Sequence, residues 1–461
     1  MHEFNIVNWL ESQQAVFTEM SDRIWQQPEL AFEEQLAVQI QTEYLEKIGF
    51  KIERQVGGLA TAFIASWGEG PAIGMIGEYD ALPGLSQQLV TYKSAVQADA
   101  AGHGCGHNLL GVGCLAAAVA VKEYLQANAL PGCIRYYGCP AEERIIGKTL
   151  MAKAAAFDDL AAALTFHPAR LNEPSKEKLL GLYDLTFTFS GIAAHAGEAP
   201  HLGRSALDAV ELMNVGANYL REHLPKNVQF HYCITEGGKQ PNIVPDKAVV
   251  WYYLRALQET DLDDLLTRIR AVAAGAALMT GTAVQDQING ACRSYLPNSY
   301  LTDRMYSAMQ KVGPIQYSPS EYQFAEQLNQ SCAGQQIDNF FENPFFIDQP
   351  EAALPKAAIY GDIFPCSNQL DICNGSNDLG DVSWITPTAN IYTACLTTGS
   401  SVHTWQATAT CGMSIGHKGM LFAAKALALT AVDLLQNPEH LQLARQEFTQ
   451  FTAGKPYCSP L

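Results

Sequence analysis

The chain is short of positive charge: 29 Lys and Arg stand against 47 Asp and Glu, a formal net charge of -18 at pH 7. No stretch gathers its cations into a basic face, and neutralising a phosphate backbone requires one, so nucleic acid is excluded as a partner. A small anionic ligand is not excluded, because it needs only a local cluster of donors. No uninterrupted apolar run reaches the length of a bilayer span. The most apolar segment, 114–121, gives way at once to Lys122-Glu123, and no membrane association is expected. The opening residues Met1-His2-Glu3-Phe4 lack a basic stretch followed by an apolar one, so a cytoplasmic location is expected. The 12 cysteines have no paired spacing and read as reduced thiols rather than a disulfide framework. Internal repeats and low-complexity tracts are missing too.

What is there is length, apolar content and a clear order of elements. A chain of 461 residues, 48% hydrophobic, supports two or three domains with sizeable cores. Leu36, Ile40, Tyr44, Leu45 and Ile48 recur at helical spacing before Gly49. Strand-like runs at 61–67, 72–76, 134–139 and 161–166 alternate with helical stretches at 108–126 and 147–157. That order predicts a mainly parallel α/β sheet, whose sites lie past the carboxyl ends of its strands. From 183 the order becomes β-α-β-β-α-β, with strands near 183–189, 228–235, 247–255 and 282–289 and helices near 205–223 and 260–279. This is the order of a ferredoxin-like unit. The reading is a discontinuous catalytic domain, 1–179 and 294–461, interrupted by an inserted domain at 180–293. An irregular loop is expected over 331–369, then a strand at 388–397 and a closing helix at 414–435.

The chemistry centres on Gly102-His103-Gly104-Cys105-Gly106-His107-Asn108. Thiolate and imidazole both suit zinc-like ions, and the glycines let the backbone wrap closely around one. Taken alone, the stretch could equally be a Gly-rich turn into a helix. Strand ends elsewhere add Glu142, Glu143, His167 and His403. Singly, each reads as a solvated loop residue or a core histidine. Together they form a set of metal-ligand types at one edge of one sheet, with a carboxylate to spare for proton transfer. Cys105 acting as a nucleophile with His107 or His103 is a rival reading, and it leaves Glu143, His167 and His403 without a role.

Longer motifs carry a resemblance: Gly77-Glu78-Tyr79-Asp80-Ala81-Leu82-Pro83-Gly84, the stretch from Gly102 to Gly111, Pro140-Ala141-Glu142-Glu143 and His167-Pro168. Gly191-Ile192-Ala193-Ala194-His195, the stretch from Pro200 to Ala209, Asn242-Ile243-Val244-Pro245, His403-Thr404-Trp405-Gln406 and His417-Lys418-Gly419-Met420 complete it. The chain resembles the M20 metallopeptidase/amidohydrolase family, in its aminoacylase-like subgroup, over nearly its whole length. The resemblance implies two divalent transition-metal ions, zinc or manganese, bridged by Cys105. His107 and Glu143 would bind on one side, with His167 and His403 completing the two coordination spheres. Glu142 would be the general base toward a metal-activated water and then proton donor to the leaving amine. Asp80 would steady a ligand histidine.

For the inserted domain, the resemblance implies a lid that also dimerises. His195 would reach the partner subunit's site to hold the developing oxyanion, and Asn242 and Arg255 would grip a substrate carboxylate. The implied substrate is a small N-acyl or N-aroyl amino acid. p-Aminobenzoyl-glutamate comes first, with hippurate-like and indoleacetyl-amino acids as the alternative. The implied assembly is a homodimer or a heteromer with a related A-type chain, in which this chain could also serve as a non-catalytic partner. Asn108, where the family has Asp, Arg144-Ile145-Ile146, where it has a Gly-rich run, and Ile192, where the lid motif commonly has Lys, depart from the pattern. His103, His201 and His417 are read as structural or peripheral.

Overall fold

The computed structural model describes residues 4–332, 357–365 and 372–461. Its strands, in chain order, are β1 (Lys51–Arg54), β2 (Phe63–Glu69), β3 (Ala72–Glu78), β4 (Gly132–Cys139), β5 (Leu160–Ala169), β6 (Glu173–Ser175), β7 (Lys178–Leu179), β8 (Gly181–Ser190), β9 (Val228–Glu236), β10 (Lys247–Ala256), β11 (Ala283–Cys292), β12 (Ile372–Cys373) and β13 (Thr388–Ala394). Seven of them form one sheet in the order β1-β2-β4-β3-β5-β13-β6. Its centre, β4-β3-β5-β13, is parallel throughout, and antiparallel strands flank it on both sides. Every residue of β3 is buried, as expected of a strand covered on both faces.

Small residues let the covering helices come close. The helix His107–Ala127 carries Ala116, Ala117, Ala118 and Ala120 and packs against the helix Ser414–Gln436 on one face of the sheet. Met75, Leu115, Phe166, Leu301, Ile391 and Leu427 belong to the same core. A second core, with Ile76, Tyr137, Met151, Phe157 and Val382, fills the other face. The two long helices are apolar enough to cross a membrane by length and composition alone. Their burial, 89% and 72% of the most apolar windows, accounts for that composition.

The β-α-β-β-α-β stretch forms a separate antiparallel sheet, ordered β11-β8-β10-β9. The helices Ala206–Leu220 and Glu259–Thr280 pack on it through a core containing Phe187, Phe189, Val250, Tyr252, Met213, Leu265 and Ile269. Ser205 caps the first helix by accepting from the Asp208 N–H, and Gly281, at φ 66°, ends the second. A mainly parallel catalytic sheet and an inserted ferredoxin-like sheet are thus the architecture of the molecule.

One strand has no forecast from sequence, and two expected boundaries change. The edge strand β1 is almost wholly exposed and has no period-two apolar signal. The helix at 147 stops at Lys153 instead of 157, and the strand from 388 stops at Ala394. Of the loop expected over 331–369, residues 333–356 and 366–369 lie outside the described residues.

Candidate metal centre

Parallel strands bring their carboxyl ends to one edge, and each end here delivers a polar group. β3 ends at Glu78, and Asp80 follows two residues later on the same side. The loop Gly102–Gly106 enters the helix His107–Ala127 through Gly106, at φ 80°, so that Cys105 and His107 sit at its start. A Cβ on Gly111 would lie 2.5 Å from the Glu78 carbonyl oxygen. Only glycine lets the helix approach β3 this closely, and that approach sets His107, one turn earlier, against Glu78.

The carboxylate pair Glu142-Glu143 lies on a short turn after β4, between Ala141 and Ile145, both left-handed at φ 56° and 51°. Non-glycine residues rarely adopt that backbone, and such strain persists only where surroundings enforce it. Here Glu34 contributes, its carboxylate accepting from the Ala141 N–H at 2.9 Å. His167 lies in β5. His403, at φ 63° beyond β13, donates its backbone N–H to the Gly104 carbonyl at 2.8 Å.

These side chains converge. The ligand atoms of Cys105, His107 and His167 all lie within 4.8 Å of one another, as do those of Cys105, Glu143 and His403. Cys105 is common to both groups. Its Sγ is 3.4 Å from His167 Nε2, and Glu143 Oε2 is 3.4 Å from His403 Nε2. Five of the six residues expected from sequence thus come together, Cys105 and His107 with His167, and Cys105 with Glu143 and His403. Asp80 joins the two groups from behind. One of its oxygens accepts from His107 Nδ1 at 2.9 Å, and the other from the Glu143 N–H at 2.9 Å. With Nδ1 so engaged, Nε2 is the nitrogen that faces the cluster.

A third group of ligand atoms, also mutually within 4.8 Å, is Glu78, His107 and Glu142. Glu78 is a member of this cluster to which the sequence reading gave no role. Its signal was there: Glu78 and Asp80 are two apart at a strand end and share a face.

The electrostatics are those of a charged cluster out of water. Burial, with Glu78 and Glu143 close by, holds the Glu142 carboxyl well above the usual range. Burial also lifts Glu143 to about 7 and pushes His167 down to about 4. For His107 burial favours the neutral ring, yet Cys105 and Asp80 outweigh it and raise its pKa. Glu78 Oε2, His107 Nε2 and Glu143 Oε1 are buried without a hydrogen-bond partner. Two carboxylate oxygens and a ring nitrogen without hydrogen-bond partners, converging beside a cysteine, are what a thiophilic divalent cation satisfies. The residues fit a metal centre.

Residues of this cluster line a cavity of about 440 Å³, which extends past Phe166, Arg170, Glu173, Asn390 and Tyr392. That is room for a small molecule. His195, Asn242 and Arg255 are not among the described residues lining it. His195 and Asn242 are exposed neighbours on the second sheet's loops, joined where the Ala196 N–H donates to the Asn242 carbonyl at 2.9 Å. Arg255 lies in β10 over the Tyr253 ring, its guanidinium carbon 5.4 Å from the centroid. Asn108 turns its amide to Ser21 and the Cys411 carbonyl, away from the ligands, and Arg144 is exposed. His417 pairs with Asp22 at 2.8 Å, His201 is exposed, and His103 is buried.

Comparison with known proteins gives the site its context. Over 98% of its length, the chain is 40% identical to the B-type subunit of p-aminobenzoyl-glutamate hydrolase from Escherichia coli, of which it covers 96%. Residues 178–278 match the M20 peptidase dimerisation domain. The chain belongs to the M20 family. It is therefore a member of a family of metal-dependent amide hydrolases. Solved M20-type structures share its fold. A dinuclear metal binding peptidase of the family from Bacillus subtilis aligns with TM-score 0.59 at 16% identity, covering 92% of this chain and 99% of that one. An aminobenzoyl-glutamate utilization protein from Klebsiella pneumoniae aligns with TM-score 0.63, also at 16% identity, over 93% of this chain and 98% of that one. At such identity these neighbours speak for the fold alone.

Proposed function

We propose that this M20 protein hydrolyses the amide bond of p-aminobenzoyl-glutamate, releasing p-aminobenzoate and glutamate. The observation that carries the reading is the pair of ligand groups sharing Cys105, in a chain 40% identical throughout to a hydrolase named for that substrate. In this reading Cys105, His107, Glu143, His167 and His403 hold two divalent ions. The thiolate favours zinc over harder ions, and manganese is the alternative. Bound ions of this kind polarise a carbonyl oxygen and acidify water.

The chain's own groups do the rest. Asp80 holds the His107 ring by Nδ1 and the Glu143 backbone by its N–H. Glu142, buried at the cavity wall, takes the proton of the attacking water on its carboxylate and delivers it to the departing amine. The surrounding burial keeps that proton from bulk solvent.

The inserted unit at 180–293 is read as a lid and dimerisation element, and the remainder, 1–179 and 294–461, as the catalytic domain. His195 then acts on the site of the other protomer, stabilising the developing oxyanion, while Asn242 and Arg255 hold the substrate carboxylate. The exposure of His195 and Asn242 in the single chain supports this. A homodimer is the simplest assembly, and a heteromer with an A-type chain fits a relative named as one of two subunit types. The location is read as cytoplasmic.

The test is release of p-aminobenzoate by the purified chain, with added Zn²⁺ or Mn²⁺, beside hippurate and indoleacetyl-aspartate. Preference for p-aminobenzoyl-glutamate supports the assignment. Faster cleavage of either other substrate moves it to the broader N-acyl amino acid class. No cleavage by the chain alone, with activity only beside an A-type chain, makes it one component of a heteromeric enzyme.

A further inference from the structure

Glu78 is the last residue of β3 and is 2% exposed. Its two carboxylate oxygens have different surroundings. Oε1 receives Lys148 Nζ at 2.9 Å, and Lys148 in turn pairs with Asp378, both wholly buried. The Lys148 backbone N–H also donates to Asp378, at 2.7 Å, which fixes the lysine from two directions. Oε2 faces the other way, 3.3 Å from His107 Nε2, and has no hydrogen-bond partner. His107 Nε2 has none either, while its Nδ1 is committed to Asp80. Without an ion these two atoms meet as an ion pair with the ring protonated; once the ring is neutral, as a metal ligand must be, its lone pair and the carboxylate oxygen repel unless a cation lies between them. Glu142 Oε2 approaches the same nitrogen at 3.8 Å.

We propose that Glu78 is a further protein ligand of the metal centre, donating Oε2 to the ion held by His107, with Lys148 and Asp378 as positioning residues that aim it. The inference rests on the two-ion reading above. Apart from the His107 ring, 3.3 Å away, nothing among the described residues meets Oε2, and Lys148 leaves the carboxylate only that oxygen free. The construction depends on Gly111, because a side chain there would push the helix carrying His107 away from the Glu78 carbonyl. Division of labour between the oxygens, one to a fixed ammonium and one to the ion, is how a supporting shell orients a carboxylate ligand.

The experiment is a Co²⁺ titration of the metal-free full-length chain, read by calorimetry and by the visible spectrum, for the unaltered protein and Glu78→Gln. The unaltered chain is expected to bind two ions. Glu78→Gln is expected to bind one of them at least about 10-fold more weakly, within the range of supporting-shell losses or beyond it. The cobalt d–d bands should shift while the thiolate-to-cobalt band from Cys105 stays. A merely structural role would lower the melting temperature and leave spectrum and affinity alone. Two ions bound by Glu78→Gln with unaltered affinity and spectrum overturn the assignment of Glu78 while the two-ion reading stands. No saturable Co²⁺ binding by the unaltered chain overturns both. If Glu78→Gln does not fold, Glu78→Asp keeps the charge against Lys148 and shortens the reach. The same measurements then decide, weaker binding with a shifted spectrum supporting the assignment and unaltered binding overturning it.

Discussion

The two sheets use their loops in opposite ways. At the carboxyl edge of the seven-stranded sheet, groups pin one another from behind: Asp80 holds His107 and Glu143, Lys148 holds Glu78, and Glu34 holds the Ala141 N–H. On the loops of the four-stranded sheet, His195 and Asn242 stand in solvent; their segments are joined through the backbone, and His195 Nδ1 accepts from the nearby Glu198 N–H at 3.1 Å. A parallel sheet completes its site within one chain, because its strand ends all face one way. The antiparallel unit leaves these loop side chains exposed, and in the proposed reading they act on the site of the other protomer.

Glu142→Gln strikes the pinned half hardest. The amide keeps the shape and loses the proton acceptor, so turnover of p-aminobenzoyl-glutamate should fall about 10²- to 10⁴-fold. Metal content by elemental analysis should not change. Loss of metal along with turnover would make Glu142 a ligand and Glu143 the candidate base.

His195→Ala strikes the exposed half. Removing one donor at a developing oxyanion typically lowers kcat about 10²- to 10³-fold, and metal content and melting temperature should stay the same. Mixing it with Glu142→Gln sharpens the contrast further. A hybrid dimer contains one site with Glu142 intact and His195 supplied by the other chain. If His195 works across the interface, the mixture regains activity that neither variant has alone. If it works within its own chain, no hybrid site is complete and the mixture stays inactive.

How far this contrast could be read from sequence differs by residue. Cys105, His107, Glu142, Glu143, His167 and His403 were legible because a parallel sheet gathers whatever follows its strands. Their grouping was not, since it depends on β13 docking beside β5 across the inserted sheet. Glu78 had a local signal in its spacing from Asp80, but its place beside His107 depends on helix packing at Gly111, and no local pattern reports that contact. Lys148 escaped because Asp378, its counter-charge, lies 230 residues away. The ferredoxin-like unit was legible because β8 alternates, with Leu185, Phe187 and Phe189 buried and Thr186 and Thr188 less so, whereas β1, exposed along its length, carried no such signal.

Asp80→Asn probes the pins themselves. The amide can still accept from His107, but it loses the charge and offers only one acceptor oxygen to serve both His107 and the Glu143 N–H. Apparent metal affinity should drop about 10- to 100-fold, the usual consequence of altering a ligand's support. Competition with a chelator measures this. Unchanged affinity would mean that the strand ends need no support from behind, and the distinction between pinned and unpinned loops would lose its force.

The smallest effect separates the two units energetically. Ser205 caps the helix Ala206–Leu220 of the second sheet, accepting from the Asp208 N–H at 3.1 Å. Ser205→Ala leaves that donor without its cap and should destabilise by about 1 kcal/mol in chemical denaturation. The core beneath that helix contains no residue of the metal cluster. Metal affinity should therefore match the unaltered chain at denaturant concentrations where both are folded. A fall in metal affinity with so small a change in the lid would show that the two sheets are coupled in the single chain. The exposed loops would then already be part of the pinned site.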